Sequence, residues 1–327
     1  MIVCAGENLI DMIEQHQSDP SAPNFDAIAG GSPYNCARAL GRLGARVGYL
    51  TPISTDRMGD LLADALTQDD VVMLGGRSSR PTSLALVTVA NGQPSYQFYR
   101  EHAADRDFTL ESLRTNLPDS TQALHLGSIA LIEGHDAEAL ADLVKFASER
   151  GYFTSVDPNV RPILLNGDSP GYRARLERIF SMVNVIKISD EDLIWWDPGD
   201  TPEAAATALF ESAQPELLVL TRGSRGMVVL HGNERWEVPA ARVKNMADTV
   251  GAGDTLMAAL LHGLADADAL DRATLASIPG SALAAVMERA ARAAAITCTR
   301  AGCNPPTRAE LDGWTHNETG LNHIKSR

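Results

Sequence analysis

The sequence predicts an α/β protein with a mostly parallel central sheet, helices on both of its faces, and a small β lid. Two observations carry this. Apolar runs of strand length alternate with stretches of helical periodicity through most of the chain, the pattern of strands joined by crossover helices. Two β-rich segments early in the chain break the alternation, and hairpins inserted into such a chain commonly lie outside the main sheet, over a cleft.

Taken in order, "GENLIDMIEQ" reads as extended. "AGGSPYNCARALGRLG" then places Gly30 and Gly31 before Ser32, a helix cap, and Pro33, a favoured first helical residue, with the helix running to Gly44. A tight loop explains these letters. Paired glycines also let a polar ligand lie against the main chain, and Asn35 offers a donor and an acceptor. "LALVTVANGQPSYQFYRE" is two strand-like runs about Asn91-Gly92, a hairpin signal. From "ALHLGSI" onward the alternation is regular: "HDAEALADLVKFASERG" helix, "YFTSVDP" strand, "RLERIFSMV" helix, "NVIKIS" strand, "TPEAAATALFESA" helix, then "PELLVLT" leading through "RGSRG" to "MVVLHG". "DTVGAGDTLMAALLHGL" and the alanine-rich "SALAAVMERAARAAAITCTRAG" read as core-facing helices.

The chain has 327 residues and 44% hydrophobic content, enough for a sizeable core without low-complexity linkers or internal repeats. Its 42 acidic against 28 basic residues, a formal charge of -14, argue against nucleic acid or an anionic membrane as the main partner. A polyphosphate would then be bound by local devices: a helix N-terminus, a few arginines, a metal. The opening "MIVCAGENLIDMI" carries Glu7 and Asp11 in its apolar run and does not read as a signal peptide. No segment has the length of a membrane span. The four cysteines, Cys4, Cys36, Cys298 and Cys303, lack paired C-x-x-C spacing and read as reduced thiols of a cytoplasmic protein. The histidines show no ligand spacing for a structural zinc, and there is neither a G-x-x-x-x-G-K-[ST] loop nor a G-x-G-x-x-G after the first strand.

Candidate site residues gather where open α/β sheets bind ligands, at the carboxyl ends of strands. "SVDPNVRP" brings Asp157, Asn159 and Arg161 there; a surface ion pair is the plain alternative for Arg161. "TRGSRG" brings Thr221, Gly223 and Gly226, which a hairpin turn explains equally well. Asp254 follows Gly251 and Gly253 at a helix start. The free N–H groups and positive dipole end there attract anions, and glycines leave that backbone open to a phosphate. An N-cap would account for a carboxylate at the same place.

"GGSPYNCARALGRLGARVGYLTPISTDRMGD" and "DTVGAGDTLMAALLHGL" resemble the two signature segments of the ribokinase-like (PfkB) carbohydrate kinases, in the family's order, and the likeness runs over nearly the whole chain. "GENLIDMI", "FYREHAADRDFT", "DPNVRP", "KISDEDL" and "CTRAGCNPPT" are most similar to bacterial fructokinases. The resemblance implies a ribokinase-like three-layer sandwich, one domain over residues 1–327 with lid segments near 8–30 and 84–107. It implies that Asp254 takes the proton from a sugar hydroxyl, that the backbone of Gly251, Ala252 and Gly253 forms an anion hole, and that Asp11, Gly30, Gly31, Asn35, Asp157 and Asn159 line the sugar, with Arg100 and Arg161 at the cleft edge. Ser189, Thr221, Gly223 and Gly226 would lie along ATP. Where many members carry N-x-x-E for magnesium and phosphate, this chain has Ser189 and Asp192, so Asp192 would hold Mg²⁺ through water. Asp248 sits where the family often builds a monovalent cation site, which implies K⁺ activation. A homodimer follows by analogy with lids that pair between subunits. The leading function is an ATP-dependent fructokinase. A 2-keto-3-deoxygluconate kinase using an Arg100/Arg161 pair on a carboxylate, and a sugar sensor that kept the fold without the reaction, stand beside it.

Overall fold

The protein is described here from a computed structural model covering residues 1–15, 23–90, 93–165, 169–243 and 245–314. Its main sheet has nine strands: β1 (Ile2–Ala5), β4 (Val47–Tyr49), β6 (Val72–Met73), β10 (Ala123–Gly127), β11 (Phe153–Asp157), β12 (Val185–Ser189), β13 (Leu217–Thr221), β14 (Met227–His231) and β15 (Glu234–Val238). They lie in the order β15-β14-β13-β12-β11-β10-β1-β4-β6. From β13 to β6 all neighbours are parallel, and β14 and β15 close one edge as antiparallel hairpins.

Period-two alternation along these strands makes the three layers. Ile2 and Cys4 of β1, with Leu217 and Val219 of β13, face a core shared with helices α1 (Ser32–Arg42), α2 (Arg57–Gln68), α8 (Ala252–Asp266), α9 (Arg272–Ala276), α10 (Gly280–Cys298) and α11 (Arg308–Gly313). Val3, Ala5, Leu218 and Leu220 point the other way, into a core shared with α3 (Leu110–Asn116), α4 (Gly134–Glu149), α5 (Ser169–Phe180), α6 (Asp190–Trp196) and α7 (Pro202–Ala213). Strands buried on both faces read as unbroken apolar runs, which is what covering helices require. Every residue of α8 from Asp254 to Leu264 is buried, and its leucines each contribute about 1.5–3 kcal/mol by leaving water. The helix is thereby fixed between α1 and α10.

A second sheet has the order β3-β2-β8-β9, formed by β2 (Leu9–Glu14), β3 (Phe25–Gly30), β8 (Ser83–Ala90) and β9 (Gln93–Tyr99). β2 and β8 run parallel, so the two early segments meet in one sheet instead of forming separate hairpins. The expected turn at Asn91-Gly92 lies outside the described residues, although β8 and β9 pair antiparallel as far as Ala90 opposite Gln93. A short ladder of β5 (Ile53–Ser54) with β7 (Arg77–Ser78) supports the entry to β8. All four cysteines are free. Among the described residues no helix is long and apolar enough to cross a membrane.

Candidate active site

The carboxyl ends of β1, β10, β11, β12 and β13 share one edge of the parallel sheet, and Asp157, Ser189 and Thr221 are the last residues of β11, β12 and β13. Asp254 is the third residue of α8, which begins after Gly251 at φ 73°, ψ 3°; no side chain caps this helix. The capping role is therefore excluded. Instead the buried carboxylate receives Ser32 Oγ at 2.6 Å on Oδ1 and Asn35 Nδ2 at 2.9 Å on Oδ2. Burial raises its pKa; the Ser32 and Asn35 hydrogen bonds oppose that, Asp157 adds to it, and Lys187 opposes it. A raised carboxylate pKa makes a stronger base near neutrality.

Ser32 is not the cap of α1. Gly31, at φ 109° and ψ 128°, takes that place without any side-chain cap bond, and Ser32 is the first helical residue. A Cβ on Gly31 would sit 2.4 Å from Glu7 O, so glycine is required both by space and by backbone angle. The Ser32 hydroxyl is therefore not turned to accept a later amide as a cap would, and the residue's N–H donates to Glu7 Oε1 at 2.8 Å. Its hydroxyl is thus free for Asp254. Asn35 keeps one buried atom, Oδ1, without a partner, an acceptor open to a ligand hydroxyl.

The start of α8 leaves two of the three expected amides open. The Ala252 amide bonds Thr249 O at 3.2 Å, whereas the Gly251 and Gly253 amides have no partner among the described residues. Gly253 faces Lys187: a Cβ there would lie 2.9 Å from Nζ. Lys187, the middle residue of β12, is only 5% exposed and pairs with Asp157 Oδ2 at 2.7 Å. Burial works against its charge, but Asp157, Asp192 and Asp254 outweigh it and hold the ammonium above its ordinary pKa. Sequence reasoning passed over this lysine, although a lysine within the buried run "VIKIS" must be paired or functional.

Of the residues expected at the sugar, Asp11 projects from β2, and Gly30 lets its carboxylate lie against β3, since a Cβ there would sit 2.3 Å from Oδ2. Burial pushes Asp11 up to about 6, with Arg161 pulling down and Asp254 pushing up, so the three charges share one region. Arg161 is exposed and donates to Asn159 Oδ1 at 2.7 Å, with Asn159 at φ 38°. Asp157 holds Lys187 and keeps a buried Oδ1 unpartnered. Arg100, expected at the cleft edge, has protein partners for two of its guanidinium nitrogens. Its side chain is 10% exposed, pairs with the buried Asp105 at 3.0 Å and donates to Ile129 O at 3.0 Å.

The segment "RGSRG", expected along ATP, is the turn between β13 and β14, closed by Arg222 N–H to Gly226 O at 2.8 Å, and Thr221 ends β13. Gly226 is demanded by packing, because a Cβ would meet Val238 O at 2.2 Å; Gly223, at φ 54°, faces open space. Ser189 and Asp192 form the capping box of α6, and Asp192 Oδ1 also accepts Val160 N–H at 2.7 Å. Each Asp192 oxygen therefore already holds one backbone amide. Among the described residues no group of three or more His, Cys, Asp or Glu is disposed as a metal cage. Asp248 fastens its own loop, accepting from Thr249, Val250 and Gly302 amides at 2.6, 3.0 and 3.0 Å.

Comparison with known proteins agrees with this geometry. The family described as pfkB family carbohydrate kinase matches residues 1–310. The chain belongs to that family. This pfkB-family kinase is 38% identical over 288 residues to a fructokinase from Rhizobium leguminosarum bv. trifolii, covering 86% of this chain and 85% of the relative. It is 32% identical to probable fructokinase-4 of Arabidopsis thaliana, with 95% of each covered. In structure the kinase is similar to a Xylella fastidiosa fructokinase solved with bound ATP, at TM-score 0.84 and 30% identity, covering 95% of this chain and 96% of that one. The fold extends to a putative ribokinase II from E. coli at TM-score 0.80 and 22% identity, covering 95% and 97%. The protein is accordingly a phosphotransferase acting on a sugar hydroxyl, with a ribokinase-like α/β fold.

Proposed function

We propose that this kinase is an ATP-dependent fructokinase in which Asp254 is the general base. The observation that carries the reading is the buried Asp254 carboxylate, oriented by Ser32 and Asn35 and set beside the open glycine amides and Lys187. Asp254 takes the proton of the attacking hydroxyl as that oxygen bonds to the γ-phosphorus and the bond to ADP breaks. The Gly251 and Gly253 amides, the α8 dipole and the Lys187 ammonium receive the charge that develops on the phosphoryl oxygens. Asp11, Asn35, Asn159 and the backbone at Gly30 and Gly31 hold the sugar, and Arg161 closes over it. Thr221, Gly223 and Gly226 lie along the nucleotide, and the four-stranded sheet is the lid of the single domain.

The donor set fits magnesium carried in with ATP and held through water. Asp157 Oδ1 is a buried, unpartnered carboxylate oxygen, and Asp192 is close enough that the charge of Asp157 pushes its pKa up. Hard oxygen donors with retained waters suit Mg²⁺, which would neutralise phosphate charge. A potassium titration tests the monovalent cation expected beside Asp248. A cytoplasmic location and a homodimer belong to the same reading.

Fructose is favoured over a keto-acid because Arg100 is spent on Asp105, leaving Arg161 alone where a carboxylate would call for a pair. The test is ADP release with a panel of sugars and keto-acids, for the parent and for Asp254→Asn. Fructose should be the best substrate, and the variant should keep ATP and sugar binding while kcat falls at least about a hundredfold. Retention of most turnover would remove Asp254 from the chemistry, and a keto-acid preference would overturn the substrate alone.

A further inference from the structure

Glu7 is a fully buried carboxylate outside the chemistry described so far. It follows the end of β1 and reaches the start of α1. Oε1 accepts the Ser32 N–H at 2.8 Å, and Oε2 accepts the Ala130 N–H at 3.2 Å. Gly31 provides no cap of its own and Pro33 has no N–H to offer, so Glu7 is the acceptor at the head of this helix. The helix turn it holds carries both donors to Asp254, the Ser32 hydroxyl and the Asn35 amide. Arg100, just past the end of β9, brings its positive charge to bear on Glu7 while bonded to Asp105, and Ser83 at the start of β8 donates to that same Asp105. Both β8 and β9 are thus tied to the group that faces Glu7.

We propose that Glu7 is a positioning residue for the catalytic aspartate, aiming Ser32 and Asn35 at Asp254 and linking that aim to the strands of the second sheet through Arg100. The proposal rests on Asp254 as the base. Burial pushes Glu7 up to about 7, with Arg100, the Ser32 amide and Ser128 acting against it. The Tyr49 and Tyr172 phenols also feel its charge from β4 and α5. Ionised Glu7 accepts both amides; protonated Glu7 gives up an acceptor position to its own proton.

The experiment uses Glu7→Gln, Ser32→Ala and the double variant, with kcat measured from about pH 6 to 8. Glu7→Gln should lower kcat about tenfold at the upper end while KM for ATP changes less than about twofold, and the rise of kcat through neutrality expected of the parent should flatten. In the Ser32→Ala background the further loss should shrink to about threefold or less, because both changes act on one contact. A Glu7→Gln enzyme with the parent kcat and pH profile, or losses that multiply in full, overturns the proposal. A merely structural Glu7 would move the melting temperature and leave the pH profile in place. Amide exchange in the parent needs no variant: the protection of the Ser32 N–H, corrected for intrinsic rate, should grow as pH passes about 7, and constant protection overturns the proposal. Asp254→Asn reports separately on the base, so failure of that reading is told apart from failure of this one.

Discussion

Gly253→Ala separates stability from catalysis at a single position. Gly253 is the second residue of α8, and its backbone angle is not in the left-handed region that a side chain resists. A Cβ there meets only the Lys187 side chain, Nζ at 2.9 Å and Cε at 3.7 Å. Replacing glycine by alanine inside a helix contributes about 0.8–1 kcal/mol. Against this, the tip of a flexible lysine must move a few tenths of an ångström while keeping its 2.7 Å bond to Asp157. The two effects are of similar size, so the variant should melt within a few degrees of the parent. The new methyl, however, lies between the amide-lined opening and the Lys187 ammonium, where a phosphoryl group would sit. Loss of such preorganised stabilisation is worth about 2.7–4 kcal/mol, or roughly a hundredfold to a thousandfold in kcat. Thermal melts and ADP release with fructose read the two quantities independently. A variant that melts with the parent and retains more than about a tenth of its kcat would refute the placement of the phosphoryl group.

Gly251→Ala should behave in the opposite way: its φ of 73° is left-handed and a Cβ would meet Cys303 Sγ at 2.2 Å, so a loss of about 2 kcal/mol or more in stability is expected in denaturant melts. Asp11 titrates near 6 because burial disfavours its charge; below that pH it is protonated and accepts sugar hydroxyls less well, so KM for the sugar should rise as pH falls through about 6 and hold steady above it, with Asp11→Asn abolishing the dependence. Arg161→Gln should lower kcat/KM for fructose by only about 1–2 kcal/mol with little salt dependence, whereas a loss of roughly 3 kcal/mol confined to a keto-acid substrate would signal a charged ligand.

Much of the fold was legible because strands buried on both faces leave long apolar runs and helices with a covered stripe leave a 3.6-residue period. β15 was not, since "ERWEV" interleaves charges with Trp236 and sits at an antiparallel edge where one face meets water. Ser-Pro suggested a serine cap, but the backbone angles at Gly31 moved the helix boundary by one residue, and no local rule reveals that the displaced amide is taken by Glu7. Asp254 stood out because its glycines and its place at a helix start are neighbours in sequence. Its partners did not: Ser32 and Asn35 lie 222 and 219 residues away. Lys187 and Glu7 shared one readable signal, an ionisable side chain within or just after a buried strand, which requires a partner. The Arg100 pair was not legible, because a basic residue at a strand end gives no hint of a buried acid five residues later.

The contact between α1 and α8 also governs when the protein can become active during its synthesis. The helix bearing Ser32 and Asn35 leaves the ribosome first, and Asp254 follows 222 residues after Ser32. Until then the apolar face of α1 lacks its covering layer, since Leu40 and Leu43 belong to the same core as Met257, Leu260 and Leu311. Pairing across such distances is slow, and partly made chains expose surface that sticks to other chains. A nascent fragment ending before α8 has β1, α1 and the glycines of the sugar side, yet neither base nor anion hole. On the proposed reading, a nascent chain that stops before α8 would therefore be inert.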